Sequence, residues 1–146
     1  MFITTGIRHN PHSPLNYRIH HFSNLSSTND LCLKLACAGA EEGLVISAEY
    51  QSRGRGRYDR AWISSPGENL LFSILLRPPV GAARASMLTH IAVTGVRDAL
   101  RLFCPGLEFT IKKPNDLLAN EKKICGILVE SSTQGERIEY AVIGIG

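Results

Sequence analysis

Between Arg84 and Phe103 the apolar residues Met87, Leu88, Ile91, Ala92, Val96, Ala99, Leu100 and Phe103 recur at helical spacing through about five turns. This periodicity is the strongest in the chain. It constrains the fold, because a helix with one apolar face is stable only when another layer covers that face. The covering layer is sheet. GLVISAEY (43–50) and NLLFSILLR (69–77) are apolar runs of strand length, read as central strands, and YRIHHF (17–22) alternates like a shorter one. After Pro105-Gly106, LEFTIK, the PND turn, a tight turn at Asn120-Glu121, KKICGILVESS, the polar TQGE and RIEYAVIGIG read as a meander of antiparallel strands. A first helix is expected over SSTNDLCLKLACAGA, with Ser27 as its cap, Leu31, Leu35 and Ala38 on one face and Gly39 as its stop. Locally paired strands with helices inserted early give an α+β class, a largely antiparallel mixed sheet with its helices on one side.

The 146 residues, 44% of them hydrophobic, suffice for one domain core. Residues 1–16, with Gly6, Pro11 and Pro14 and no periodicity, read as a loose lead-in, and 17–146 as the domain. A net charge of +3 gives the molecule as a whole little attraction for nucleic acid or membrane. No apolar run is long enough to span a bilayer or serve as a signal peptide core, so a cytoplasmic protein is expected. Cys32, Cys37, Cys104 and Cys125 form no CxxC pair and are read as reduced, mostly buried thiols. His9, His12, His20 and His21 have no acidic companion in the sequence and are read as solvated or edge histidines, not metal ligands.

Charge is concentrated in one place. EYQSRGRGRYDRAW (49–62) carries Arg53, Arg55, Arg57 and Arg60 with Gly54 and Gly56 between them, and only Asp59 to offset them. Guanidinium forks bind carboxylate or phosphate in bidentate fashion, and glycines let the backbone approach a ligand. Mutual repulsion predicts a mobile loop that becomes ordered around an anion. Alone, the loop fits a small anionic ligand, RNA or solvent equally well. Two further clusters narrow the choice. IKKPND (111–116) sets Lys112 at a strand end before a proline turn bearing Asn115 and Asp116. KKICGILVE (122–130) sets Lys123 on an apolar strand, on the same face as Cys125 and Ile127 by alternation, where it needs an anionic partner or must snorkel.

In their order and separations, SSTND, YQSRGRGR, KPND and KKICGILVE resemble the catalytic domain of biotin protein ligases, the biotin–[acetyl-CoA-carboxylase] ligases, from about Asn24 to the last residue. The resemblance implies the α+β fold related to class II aminoacyl-tRNA synthetases. It also implies an enzyme that makes biotinyl-5′-AMP from biotin and ATP with Mg²⁺, then transfers biotin to a lysine of the biotin carboxyl carrier domain of acetyl-CoA carboxylase. Under it, Ser27, Thr28, Asn29, Gln51, Arg55, Gly56, Arg57 and Lys123 contact biotin. Arg57, Arg60, Trp62, Lys112 and Asn115 serve the nucleotide, and Asp116 a metal. Arg55, Arg57, Lys112 and Lys123 are then the catalytic cations, since a carboxylate attacking phosphorus needs charge and positioning but no general base. Transfer to the carrier lysine does need a base, and Asp116 is the candidate. Read from the residues alone, Trp62 anchors the loop in the core.

The match departs from the family pattern at several points. Lys113 stands where the family's KWPN motif has tryptophan, replacing an aromatic surface with a charge. Tyr58-Asp59 replaces a basic residue and a glycine. The family's Ile-Asn-Val-Asn segment and SH3-like C-terminal domain do not follow Gly146, so a piece of a longer protein is expected, reluctant to run the full reaction. No helix-turn-helix motif precedes the domain, so no DNA partner is expected, and a homodimer is left open. Competing readings are a lipoate or octanoyl transferase, an inactive ligase fragment, and a nucleic-acid module built on the arginine loop.

Overall fold

The apolar stripe after Arg84 finds a sheet with half of its members: Leu88, Ala92, Val96 and Leu100 pack against it and Val93 is buried beside them, while Met87, Ile91, Ala99 and Phe103 are exposed. The computed structural model describes residues 2–9 and 15–146. They run β1 (Phe2–His9), β2 (Asn16–Phe22), α1 (Thr28–Cys37), β3 (Leu44–Ala48), β4 (Gly54–Arg55), β5 (Ala61–Trp62), β6 (Leu71–Leu76), α2 (Ala85–Phe103), β7 (Phe109–Lys112), β8 (Asp116–Ala119), β9 (Lys122–Gln134) and β10 (Arg137–Ile145). Eight strands form one sheet in the order β1-β2-β3-β6-β10-β9-β8-β7, while β4 and β5 make a separate ribbon. Only the β2–β3 pairing within the large sheet is parallel, with α1 as its crossover.

Residues 2–9 correct the expectation of a loose lead-in, since they form a strand hydrogen-bonded antiparallel to β2. Pro11, His12 and Pro14 of that stretch lie outside the described residues. His21 also gains an acidic companion that the sequence does not reveal. Its Nε2 lies 2.8 Å from Glu49 Oε1 and its Nδ1 2.9 Å from Ser47 Oγ.

The helices occupy opposite faces of the sheet, not one side as expected. Cys32 and Ala36 of α1 pack on Leu44, Ile46, Leu75 and Val142. Val93 of α2 packs on Phe109, Leu117, Cys125, Ile127 and Ile143. Val142 and Ile143 are neighbours on β10 and so point to opposite faces, which puts one core on each side. The reason is hydropathy. The strands β3, β6 and β10 read as continuous apolar runs because both of their faces are covered. Each fully buried aliphatic chain in these layers contributes about 1.5–3 kcal/mol.

Both ends of α1 are closed by side chains. Ser27 Oγ accepts from the backbone N–H of Asp30 at 3.3 Å, satisfying a donor of the first turn. At the other end Gly39 takes φ +89, and Arg77 of the β6 exit donates to the carbonyls of Ala36 at 3.0 Å and Ala40 at 2.8 Å while lying over Tyr140. Arg77→Met is therefore expected to lower stability by about 2 kcal/mol, read as a shifted urea midpoint at unchanged slope.

The thiols are all free, as expected, but only Cys32 and Cys125 are buried; Cys37 is exposed and Cys104 intermediate. Burial pushes the Cys32 thiol up to about 12 and the Cys125 thiol to about 11, so neither is a nucleophile near neutrality.

Candidate active site

On the α1 face of the sheet, the N-terminus of α1, the β4–β5 ribbon, the turn before β8 and the ends of β9 and β10 enclose a cavity of about 500 Å³. That volume suits a small ligand. The floor is built from the smallest side chains because larger ones do not fit. A Cβ at Gly144 would lie 2.2 Å from Asn29 Oδ1, and one at Gly126 would lie 2.7 Å from the Trp62 ring.

One wall is a network of polar groups on buried backbone. Gln51 Oε1 accepts from the Thr28 backbone N–H at 2.7 Å and from Thr28 Oγ1 at 3.1 Å. Ser73 Oγ, fully buried in β6, reaches Thr28 Oγ1 at 2.8 Å and Asn29 Oδ1 at 2.5 Å. Asn29 Nδ2 donates to Glu130 Oε2 at 2.8 Å. Ser27, Thr28 and Asn29 are themselves buried, a placement polar side chains tolerate only when paired in this way.

The arginine loop does not match the free, self-repelling segment that its sequence predicts. Arg55 donates through Nε and Nη2 to Asp30 Oδ1 at 3.0 and 2.6 Å, and through Nη2 to both oxygens of Glu130 at 3.0 and 2.9 Å. Burial lowers its pKa, but the hydrogen bonds and charges of Asp30 and Glu130 outweigh this and raise it above the ordinary value. Arg57 is held over the opposite side, with Nη1 donating to Asn115 Oδ1 at 3.3 Å and Nη2 to Tyr58 Oη at 3.0 Å. Asn115 is fixed in turn by donating to the Ile127 carbonyl at 3.0 Å. Tyr58 and Asp59 sit at φ 56 and 55, a left-handed conformation that costs a non-glycine residue about 1–2 kcal/mol each.

Lys123 reaches the cavity by a route that alternation misses. In the β8–β9 ladder Leu117 faces Cys125 but Leu118 faces Lys123, so Ile124 is an extra residue in β9, a β-bulge. The bulge turns Lys123 away from the Cys125 core face and into the site, where its Nζ lies 2.9 Å from Asp116 Oδ1 and 5.1 Å from the centre of the Trp62 ring. The expectation that Lys123 shares a face with Cys125 and Ile127 is thereby overturned.

Ser27, Thr28, Asn29, Gln51, Arg55, Gly56, Arg57, Arg60, Trp62, Asn115, Asp116 and Lys123 all line the cavity. Lys112 does not. It is exposed at the end of β7 opposite Asp116, one strand out, and Lys113 takes the place in the wall that the sequence reading gave to Lys112. Sequence reasoning missed Ser73 and Glu130. Ser73 is a polar residue set in an apolar run, which is the signal that marks it; Glu130 stands at the polar end of one and carries no such mark.

The comparisons with known proteins point the same way. Residues 22–146 match the model of the Biotin/lipoate A/B protein ligase family. The chain belongs to that family. It is 38% identical over 122 residues to the bifunctional ligase/repressor BirA of Bacillus subtilis, covering 84% of this chain and 37% of that one. It is 41% identical over 121 residues to the biotin–[acetyl-CoA-carboxylase] ligase of Paracoccus denitrificans, covering 82% of this chain and 50% of the relative. The chain thus spans half or less of the length of these family members. Among solved structures, the Leishmania major biotin protein ligase in complex with biotin superposes with a TM-score of 0.70 at 29% identity, over 88% of this chain and 55% of that one. The Aquifex aeolicus biotin protein ligase in complex with biotin and ATP gives 0.66 at 29% identity, over 87% and 50%. The α+β class, with a mixed sheet of biotin protein ligase type, is therefore established for this family member.

Proposed function

We propose that the chain is the catalytic core of a biotin–protein ligase, which joins biotin to ATP and passes the biotinyl group to a lysine of a carboxyl carrier protein. The observation that carries this reading is Lys123 turned by the bulge into a cavity walled by the Thr28–Gln51 network and closed by Arg57. A lipoate or octanoyl transferase is less well supported, because the curated relatives named above are BirA and biotin–[acetyl-CoA-carboxylase] ligase. A nucleic-acid module is disfavoured because the Arg55 charge is already matched by two carboxylates.

In this reading, the Thr28, Gln51 and Asn29 wall orients the ring system of biotin, and Lys123 exchanges Asp116 for the biotin carboxylate. A carboxylate oxygen attacks the α-phosphorus, the bond to the bridging oxygen breaks, and pyrophosphate leaves. Arg57, Arg60 and Lys113 line the cavity on the loop and turn side and neutralise the phosphates. A cation about 4 Å from a unit charge at an effective dielectric near 20 contributes roughly 4 kcal/mol before desolvation. Closure over the mixed anhydride keeps water out. In the second half-reaction the carrier amine attacks the acyl carbon, AMP departs, and the amine gives up a proton. Asp116, the only carboxylate among the described residues that line the cavity, is the group we assign to receive it.

The residues present do not form a cage for a magnesium ion. Among the described residues no three His, Cys, Asp or Glu side chains converge, and Asp116 is ion-paired with Lys123. A magnesium ion in this reading arrives with the triphosphate, as that ion commonly does, and no step above passes through it. Among the described residues no helix is long and apolar enough to cross a membrane. A cytoplasmic location and a carrier protein of acetyl-CoA carboxylase type complete the proposal.

Biotin at a hundredfold excess over its Kd is expected to add about 2.7 kcal/mol of stability, a Tm rise of roughly 5–10 °C for a domain of this size. Differential scanning calorimetry with biotin, with ATP and with both is the test. No shift at millimolar biotin with ATP present overturns the reading.

A further inference from the structure

We propose that Asp30 and Glu130 are positioning residues, a two-carboxylate latch that grips Arg55, holds the arginine loop over the cavity, and through Glu130 couples the loop to the ligand wall. The bonds that make the latch are on three separate elements. Arg55 lies on β4, Asp30 in the first turn of α1 and Glu130 on β9, so together they pin the ribbon to α1 and to the sheet. Glu130 serves two masters. The same carboxylate that accepts from Arg55 Nη2 at 2.9 Å accepts from Asn29 Nδ2 at 2.8 Å, and Asn29 is bonded on to Ser73.

All partners of the latch belong to the chain, so the protein itself supplies the contacts that hold the loop. A loop restrained in this way loses less conformational freedom on binding, which favours a slow off-rate. The assignment also changes the part played by Arg55. Its charge is matched by two carboxylates of the protein, so it fixes the loop, while Arg57, Arg60 and Lys113 remain to meet anions, joined by Lys123 once it gives up Asp116.

The arginines of the loop are themselves the probe, because trypsin cleaves after Arg55 and Arg57 only when the ribbon opens. Glu130→Gln and Asp30→Asn are expected to speed cleavage at these two bonds, followed site by site by mass spectrometry, by about tenfold. Glu41→Gln, which removes the surface pair with Arg18, is expected to leave it unchanged. Resting on the ligase reading, a second arm measures biotin dissociation, expected to be about tenfold faster in Glu130→Gln, restored in part by Glu130→Asp, and less affected in Asp30→Asn, which leaves Asn29 held. Unchanged cleavage in both variants, with circular dichroism and melting like the parent, overturns the latch. If Glu130→Gln does not fold, Asp30→Asn decides the cleavage arm alone. If the parent itself fails to bind biotin, the ligase reading falls and the cleavage arm still judges the latch.

Discussion

Replacing Lys123 with methionine is expected to slow formation of the biotin adenylate by roughly 10²–10³-fold, the loss seen when one preorganised charge-stabilising donor is removed. Methionine keeps most of the apolar stem and removes the ammonium. Two effects then add. The developing negative charge between carboxylate and α-phosphate loses a cation, and Asp116, now without its partner at 2.9 Å, presents a carboxylate to an incoming carboxylate. The second effect is separable, because Lys123→Met with Asp116→Asn removes the repulsion but not the lost cation. The double variant is expected to recover about tenfold of the deficit, a coupling of the size contacting charges show. Pyrophosphate release in the absence of carrier protein isolates the first half-reaction. A Lys123→Met enzyme working within a few-fold of the parent would remove Lys123 from the chemistry.

What the sequence made legible follows its periodicity. The extent of α2, the apolar runs of β3, β6 and β10 and the Ser27 cap are local patterns, and the structure has them within a residue or two, although Met87, Ile91 and Phe103 of the α2 stripe stay exposed. What it hid depends on pairing between distant segments. Alternation assigned Lys123 to the core face because a bulge of one residue leaves no mark in the apolar pattern of KKICGILVE. The arginine loop reads as self-repelling because Asp30 and Glu130, which neutralise Arg55, lie 25 and 75 residues away in sequence. Likewise, the two-sided sheet was legible only in hindsight from the continuous hydropathy of its central strands. The clustering of the four motifs around one cavity is the part of the site that their order along the chain did announce.

The flat seat of Trp62 gives the other large effect. A Cβ at Gly126 would stand 2.7 and 2.9 Å from Cζ3 and Cη2 of the indole, and one at Gly146 would stand 2.8 Å from its Nε1, so the ring rests directly on the backbones at the ends of β9 and β10. In Gly126→Ala the ring must lift. Trp62 is only half-buried, so it can do so toward the cavity at a folding cost of about 1–3 kcal/mol, a moderate overpacking penalty. The site suffers more. Lifting the indole carries away the surface beneath Lys123, intrudes on the ligand volume and drags β5, whose pairing of Trp62 with Gly54 sets the position of the whole ribbon. A displacement of about 1 Å in positioning groups costs on the order of 10² in rate, and adenylate formation in Gly126→Ala is expected to fall at least that far. Gly95→Ala on the exposed side of α2 has the opposite expectation: nothing lies within 4 Å of the added carbon, and helix propensity should raise stability by about 0.5–1 kcal/mol with activity intact. Melting curves and pyrophosphate release on the two variants separate fit from folding. Parent-like activity in Gly126→Ala would mean that the indole is free to leave its seat without consequence, and that the ribbon is positioned by the arginines alone.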